Sequence, residues 1–98
     1  MLIHKERLTG STASGSLILT TVKFSGARLV QIYIKPAVAS TVYDVEIRDT
    51  DSDDVWEELG IQGTLRRTLR TPISEQLTVA ITNASADEAF VVKLGIEE

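Results

Sequence analysis

Residues 48–60, RDTDSDDVWEELG, hold the densest group of side chains able to do chemistry in this sequence. Asp49, Asp51, Asp53 and Asp54 could ligate a hard cation such as calcium, which accepts carboxylate and carbonyl oxygens in flexible arrangements. Their spacing tests the idea. Counted from Asp49, an EF-hand loop would use Asp51 and Asp53 at its third and fifth positions. Asp54 then falls where the loop needs glycine, and Gly60 where it needs a bidentate glutamate. An EF-hand is excluded, and an irregular calcium site at a turn is the metal reading that survives. Against it stands a simpler account, in which Asp and Ser side chains bond to the backbone and keep a tight turn solvated. The turn is preferred, and no metal or other cofactor is expected.

The backbone under these residues has two readings. Asp54-Val55-Trp56-Glu57 carries an N-cap residue with Glu three positions on, and Gly60 could close a short helix. So short a helix is marginal without packing. As a hairpin, EIRD and DVWEEL pair as strands across a polar loop, and the hairpin is the expectation over 54–60.

The basic counterpart is GTLRRTLR, residues 63–70. Strict alternation faces Leu65 and Leu69 inward and Arg66 and Arg70 outward, and it leaves Arg67 on the leucine face. A β-bulge or an edge position would resolve that conflict. Arginine is enriched at protein interfaces, so Arg66 and Arg70 are interface candidates, with the acidic 49–58 segment of a neighbouring copy as their complement. The plainer alternative is a solvated edge strand whose charges discourage aggregation. His4, the single histidine, cannot build a multi-histidine metal site or a familiar triad alone. There is no cysteine, no G-x-S-x-G, no P-loop and no dinucleotide fingerprint. Asn83-Ala84-Ser85 reads as a turn. An enzyme is not expected.

The elements that must position these residues have a period of two. Leu77, Val79 and Ile81 alternate with polar or small residues, as do Tyr43, Val45 and Ile47, and Phe90, Val92, Leu94 and Ile96 share one face. Further strands are expected at 3–9, 16–24, 28–35 and 63–71, separated by Gly, Pro, Asn and Ser clusters. In the 28–35 strand, Val30, Ile32 and Ile34 form one face and Leu29, Gln31 and Tyr33 the other. Both faces are fairly apolar, so Leu29 and Tyr33 join the interface candidates, as does Trp56 beside the acidic loop. The expected fold class is all-β: one β-sandwich over residues 1–98, of seven or eight short, mainly antiparallel strands. Jelly-roll topology is preferred to immunoglobulin-like.

A chain of 98 residues with 43% hydrophobic and 24% charged residues can hold a modest core as one domain. Its net charge of −4 disfavours nucleic acid and anionic membrane as partners. The first residues, MLIHKERLTG, lack the apolar run of a signal peptide, and no apolar stretch is long enough for a membrane helix.

YDVEIRDTDSDDVWEE, followed by LTVAITNASADEAFVVKLGIEE, resembles the small all-β accessory proteins of tailed-bacteriophage particles, such as head decoration or cement proteins and neck and tail modules. The resemblance covers about the C-terminal half. It implies a structural role in the virion, after synthesis in the host cytoplasm, as a homo-oligomer bridging neighbours in a shell or tail; a cytoplasmic location is the alternative. The competing function is a carbohydrate-binding sandwich, with or without calcium at the Asp49–Asp54 loop, which requires an exposed Trp56.

Overall fold

Wherever apolar and polar residues alternate in this chain, the backbone is extended. The computed structural model describes residues 3–50 and 54–98. Eight strands run in order: β1 (Ile3–Ser11), β2 (Leu17–Thr20), β3 (Ala27–Pro36), β4 (Val42–Arg48), β5 (Asp54–Gln62), β6 (Leu65–Ile73), β7 (Thr78–Thr82) and β8 (Ala89–Glu97). They form two four-stranded sheets, β1-β8-β3-β6 and β2-β7-β4-β5, in which every ladder is antiparallel. Only β4 and β5 are both consecutive in sequence and paired. Every other connection crosses from one sheet to the other, which is the jelly-roll solution.

The inward residues of both sheets meet in one core. Leu29, Ile32, Ile34, Val92, Leu94 and Ile96 come from the first sheet, facing Tyr43, Val45, Ile47, Val79 and Ile81 of the second. Tyr43 and Phe90 meet edge to face across the layers at 5.1 Å between ring centroids. Such aromatic pairs add to the stabilisation that their buried area already gives.

Three departures from a simple apolar-in, polar-out strand pattern bear on the sheet surfaces. Along β3 the register with β8 slips between Leu29 and Gln31, with Val30 as the extra residue. A one-residue slip moves everything beyond it to the opposite face. Leu29 therefore lies inside with Ile32 and Ile34, fully buried, and not beside Gln31 and Tyr33 on an outer face. It has no surface to offer a partner. The second departure is in β5, where Leu59 and Gly60 together stand opposite the single residue Asp44. Gly60 takes a φ of 66°, and its N–H donates to Asp44 Oδ1 at 2.8 Å. Residues 54–60 are strand, as the hairpin reading expects, and not helix.

The third departure concerns Arg67. It pairs with inward-facing Ile32, so it stands on the core side of β6, as the sequence conflict implied. β6 and β5 are the edge strands of their sheets, and Arg67 spans the gap between them. Its Nε donates to Glu58 Oε1 at 2.9 Å and its Nη2 to Glu58 Oε2 at 2.6 Å. A bidentate ion pair thus closes the open side of the sandwich, where an aliphatic residue would be half wet.

At one end, the β1–β2, β3–β4 and β7–β8 loops converge on Glu88, a buried carboxylate. It accepts from Thr41 Oγ1 at 2.6 Å and from the Val38 N–H at 3.1 Å. Its own N–H donates to Thr12 Oγ1, which in turn donates to the Ser85 carbonyl. Three loops are held by one acid.

Candidate interaction surfaces

With the inner faces committed to the core, the chemistry of this molecule lies on its two outer sheet faces. On the outside of β1-β8-β3-β6, register places Arg7 opposite Lys93, Lys93 opposite Tyr33, and Tyr33 opposite Arg66. The Tyr33 ring lies between two cations, with the Arg66 guanidinium 5.1 Å and the Lys93 ammonium 5.2 Å from its centroid. Each contact is a cation–π attraction, worth roughly 0.5–1 kcal/mol at an exposed site. One row away, Lys5 and Gln31 flank Gly95. Lacking a side chain, Gly95 helps floor a depression of about 330 Å³ that Lys5, Tyr33, Arg66 and Lys93 border. Lys35 extends the basic surface on the far side of Tyr33. At the opposite end Glu97 is the acid of this face, shared by Arg28 Nη1 at 3.3 Å and Arg70 Nη2 at 3.5 Å.

The outside of β2-β7-β4-β5 carries the opposite sign. Asp44, Glu46 and Arg48 alternate with the buried Tyr43, Val45 and Ile47, and β5 adds Asp54 and Glu57. Glu46 stands directly opposite Glu57. The hydrogen bond that Glu57 shares with Glu46 holds its carboxyl above the usual carboxylate range, helped by partial desolvation and by the charges of Glu46 and Asp54. Asp44 is pulled the other way, below its usual range, by the Gly60 N–H and then by the Asn83 amide, 2.6 Å away.

Carboxylate oxygens of Glu46, Asp54 and Glu57 come within 4.8 Å of one another. Arg48 already stands among them, with Nε 2.6 Å from Glu46 Oε1 and 3.2 Å from Asp54 Oδ1. The cation at this spot is the chain's own. Of the four aspartates considered as calcium ligands, Asp51 and Asp53 lie outside the described residues. Asp49 follows β4, and Asp54 opens β5 against Arg48.

The interface candidates separate accordingly. Arg66, Arg70 and Tyr33 share the basic outer face. Trp56 pairs with inward-facing Ile47 and packs, partly buried, against the core. Sequence reasoning missed Lys93 as a partner of Tyr33, Lys5 and Arg7 as members of the same basic face, and Glu46 and Glu57 as a pair. These residues lie on strands far apart in the chain, and only the register brings them together. His4, on edge strand β1, lies with Nε2 2.8 Å from Glu6 Oε2 and its ring against Phe24.

No protein-family model and no curated protein matches the chain. Solved structures do. The chain is similar to one in the cyanophage Pam1 capsid asymmetric unit, at 14% identity and a TM-score of 0.62, covering 97% of this chain and 84% of that one. It is also similar to VP2 of the infectious bursal disease virus subviral particle, at 10% identity and a TM-score of 0.53. There it covers 97% of this chain but spans about a third, 32%, of the viral one. A structure described as "CBM4 structure and function" aligns at 8% identity and a TM-score of 0.48, covering 93% of this chain and 82% of that one. With the two capsid chains, at such identities, the shared property is the fold, an all-β jelly-roll sandwich.

Proposed function

We propose that this protein is a non-enzymatic structural component of a virion: an accessory protein of head, neck or tail that self-associates and bridges neighbouring subunits. One observation carries the reading. The whole eight-strand jelly roll fits in a chain that covers 84% of a chain from a phage capsid unit. A sandwich over residues 1–98, acting as one domain, has its sheet faces as its broadest surfaces, and those faces carry concentrated charge. A standard interface needs roughly 1,200–2,000 Å² of total buried surface, which a domain of this size reaches with two or three contacts. Tyr33, Arg66 and Arg70 are the residues offered to acidic neighbours. Proteins are the partners this surface suits, and the net charge of −4 disfavours nucleic acid and anionic membrane. The carbohydrate reading gains nothing from Trp56, whose ring packs toward the core and is no exposed stacking platform.

The test is purification of virions from the source of the sequence, with the chain followed by immunoblot, and mass photometry of the free protein. The expected result is stoichiometric copurification with particles. A strict monomer that never copurifies with a particle would end the reading.

A further inference from the structure

The two outer faces oppose each other in charge, and each contains a directly opposed pair of like-charged residue types. On the basic face Arg7 lies directly across from Lys93. On the acidic face Glu46 lies directly across from Glu57. Like charges directly opposed on neighbouring strands destabilise a sheet. Among the described residues no salt bridge reaches Lys5, Arg7, Lys35, Arg66 or Lys93, while all the ion pairs of Arg28 and Arg70 go to Glu97. Meanwhile the chain as a whole is acidic, at −4. A fold that places five of its unpaired cations together on one face, and a surplus of carboxylates on the other, is complementary to itself.

We propose that the basic outer face of β1-β8-β3-β6 in one copy docks on the acidic outer face of β2-β7-β4-β5 in a second copy, with Arg7, Lys93 and Arg66 meeting Glu46, Glu57 and Asp54. The proposal rests on the assembly reading above and gives it its surfaces. Because the two patches differ, the contact is heterologous: repeated, it makes a stack or a ring and not a two-fold dimer. The size is limited. The acidic sheet is the smaller, with strands of 4, 5, 7 and 9 residues, and at about 4.8 Å between strands it presents roughly 400 Å², so the contact buries on the order of 800 Å². That lies at the low end for a specific interface, and association of the free chain is therefore weak and strongly salt-dependent. Arg48 sits within the acidic face and reduces its charge without reversing it. A nucleic acid is the competing occupant of the basic face. It would leave the carboxylate surplus of the other face unmatched, and a second copy answers both faces at once.

Sedimentation velocity on the purified chain reads the contact directly. Between about 10 mM and about 1 M salt the screening length falls from about 30 Å to about 3 Å, so mass that rises with concentration at low salt should revert to monomer at high salt. Arg7→Glu with Lys93→Glu, and separately Glu46→Lys with Glu57→Lys, should each abolish low-salt association. An equimolar mixture of the two variants should restore it. Thermal melts check folding, and Arg66→Glu with Asp54→Lys as the mixing pair serves if either double variant fails to fold. A wild-type monomer at low salt, variants that associate as wild type does, or a mixture that stays monomeric would each overturn the proposal. So would a wild-type chain that binds a labelled single-stranded oligonucleotide through this face without associating with itself. A monomer that still copurifies with virions would overturn the stacking and leave the virion role standing; a stacking chain absent from particles would do the reverse.

Discussion

Glu88 shows how much one residue can hold without any alternation pattern announcing it. In sequence it is one more charge in a loop, Ala-Asp-Glu-Ala. In the fold it is 6% exposed and receives a hydroxyl and a backbone N–H from the β3–β4 connection. Hydrogen bonds to a charged group stabilise by more than neutral ones, and removing the acceptor strands the buried donors. Glu88→Ala is therefore expected to lower unfolding free energy by about 2–3 kcal/mol in a urea titration, and Glu88→Gln by less, since its amide oxygen still accepts. Equal losses in the two variants would show that the carboxylate's acceptors are not what matters. Tyr43 gives a second prediction at this scale. Its hydroxyl donates to the Gly63 carbonyl at 2.7 Å, and burial, reinforced by the Glu58 charge and opposed by Arg67, pushes its pKa up to about 12. In the unfolded chain a tyrosine ionises near 10. Between those values the unfolded chain gives up a proton that the fold retains, so the stabilisation present below pH 10 is lost as pH rises toward 12. Tyr43→Phe should cost about 1 kcal/mol at neutral pH, and its deficit relative to wild type should shrink across that window. Urea midpoints for both proteins at neutral and alkaline pH check it; parallel alkaline declines would refute the assignment.

Elements were more legible than their details. Seven or eight strands, the 54–60 hairpin and the edge character of the arginine strand could be read from periodicity, because a half-buried strand must alternate. The bulges could not. Val30 and Gln31 give no local sign that the register slips there, so Leu29 appeared to face outward with Tyr33. The structure puts it among the most buried residues. Glycines mark some of these irregular points, and they differ in what holds them. Gly60 at the β5 bulge has a φ of 66°, with nothing within 4 Å of where a Cβ would stand. Gly63, in the β5–β6 turn, has a φ of 71° and would bring a Cβ within 2.7 Å of the Ala39 carbonyl oxygen. Gly60→Ala should cost only the left-handed backbone, about 1 kcal/mol. Gly63→Ala adds a collision with backbone that cannot swing aside, and it should lower the melting temperature by clearly more. Equal shifts in thermal melts would mean that the β3–β4 loop yields freely and that the close approach carries no weight.

At the scale of the whole molecule, the sequence hides what the topology creates. Net charge and composition describe an ordinary acidic domain, and the arginines of 63–70 looked like a local cluster. Pairing the first strand with the last brings Arg7 beside Lys93, and the central position of β3 then carries the row on through Tyr33 to Arg66. No window along the chain contains that row, so no reading of spacing could find it. The arrangement has a consequence for stability that is separate from assembly. If opposed like charges are retained for a partner, the monomer tolerates a repulsion that a single substitution can remove. Arg7→Glu replaces it with an attraction to Lys93, and the monomer's melting temperature should rise by roughly 1–5 °C at low salt. The rise should fade near 1 M salt as the charges are screened. The same substitution subtracts two charges from the basic face and should weaken stacking, so stability and association move in opposite directions. Calorimetry of Arg7→Glu at dilute, monomeric concentration measures the first, and a melting temperature unchanged or lowered at low salt would show that Arg7 and Lys93 splay apart in solution and store no repulsion.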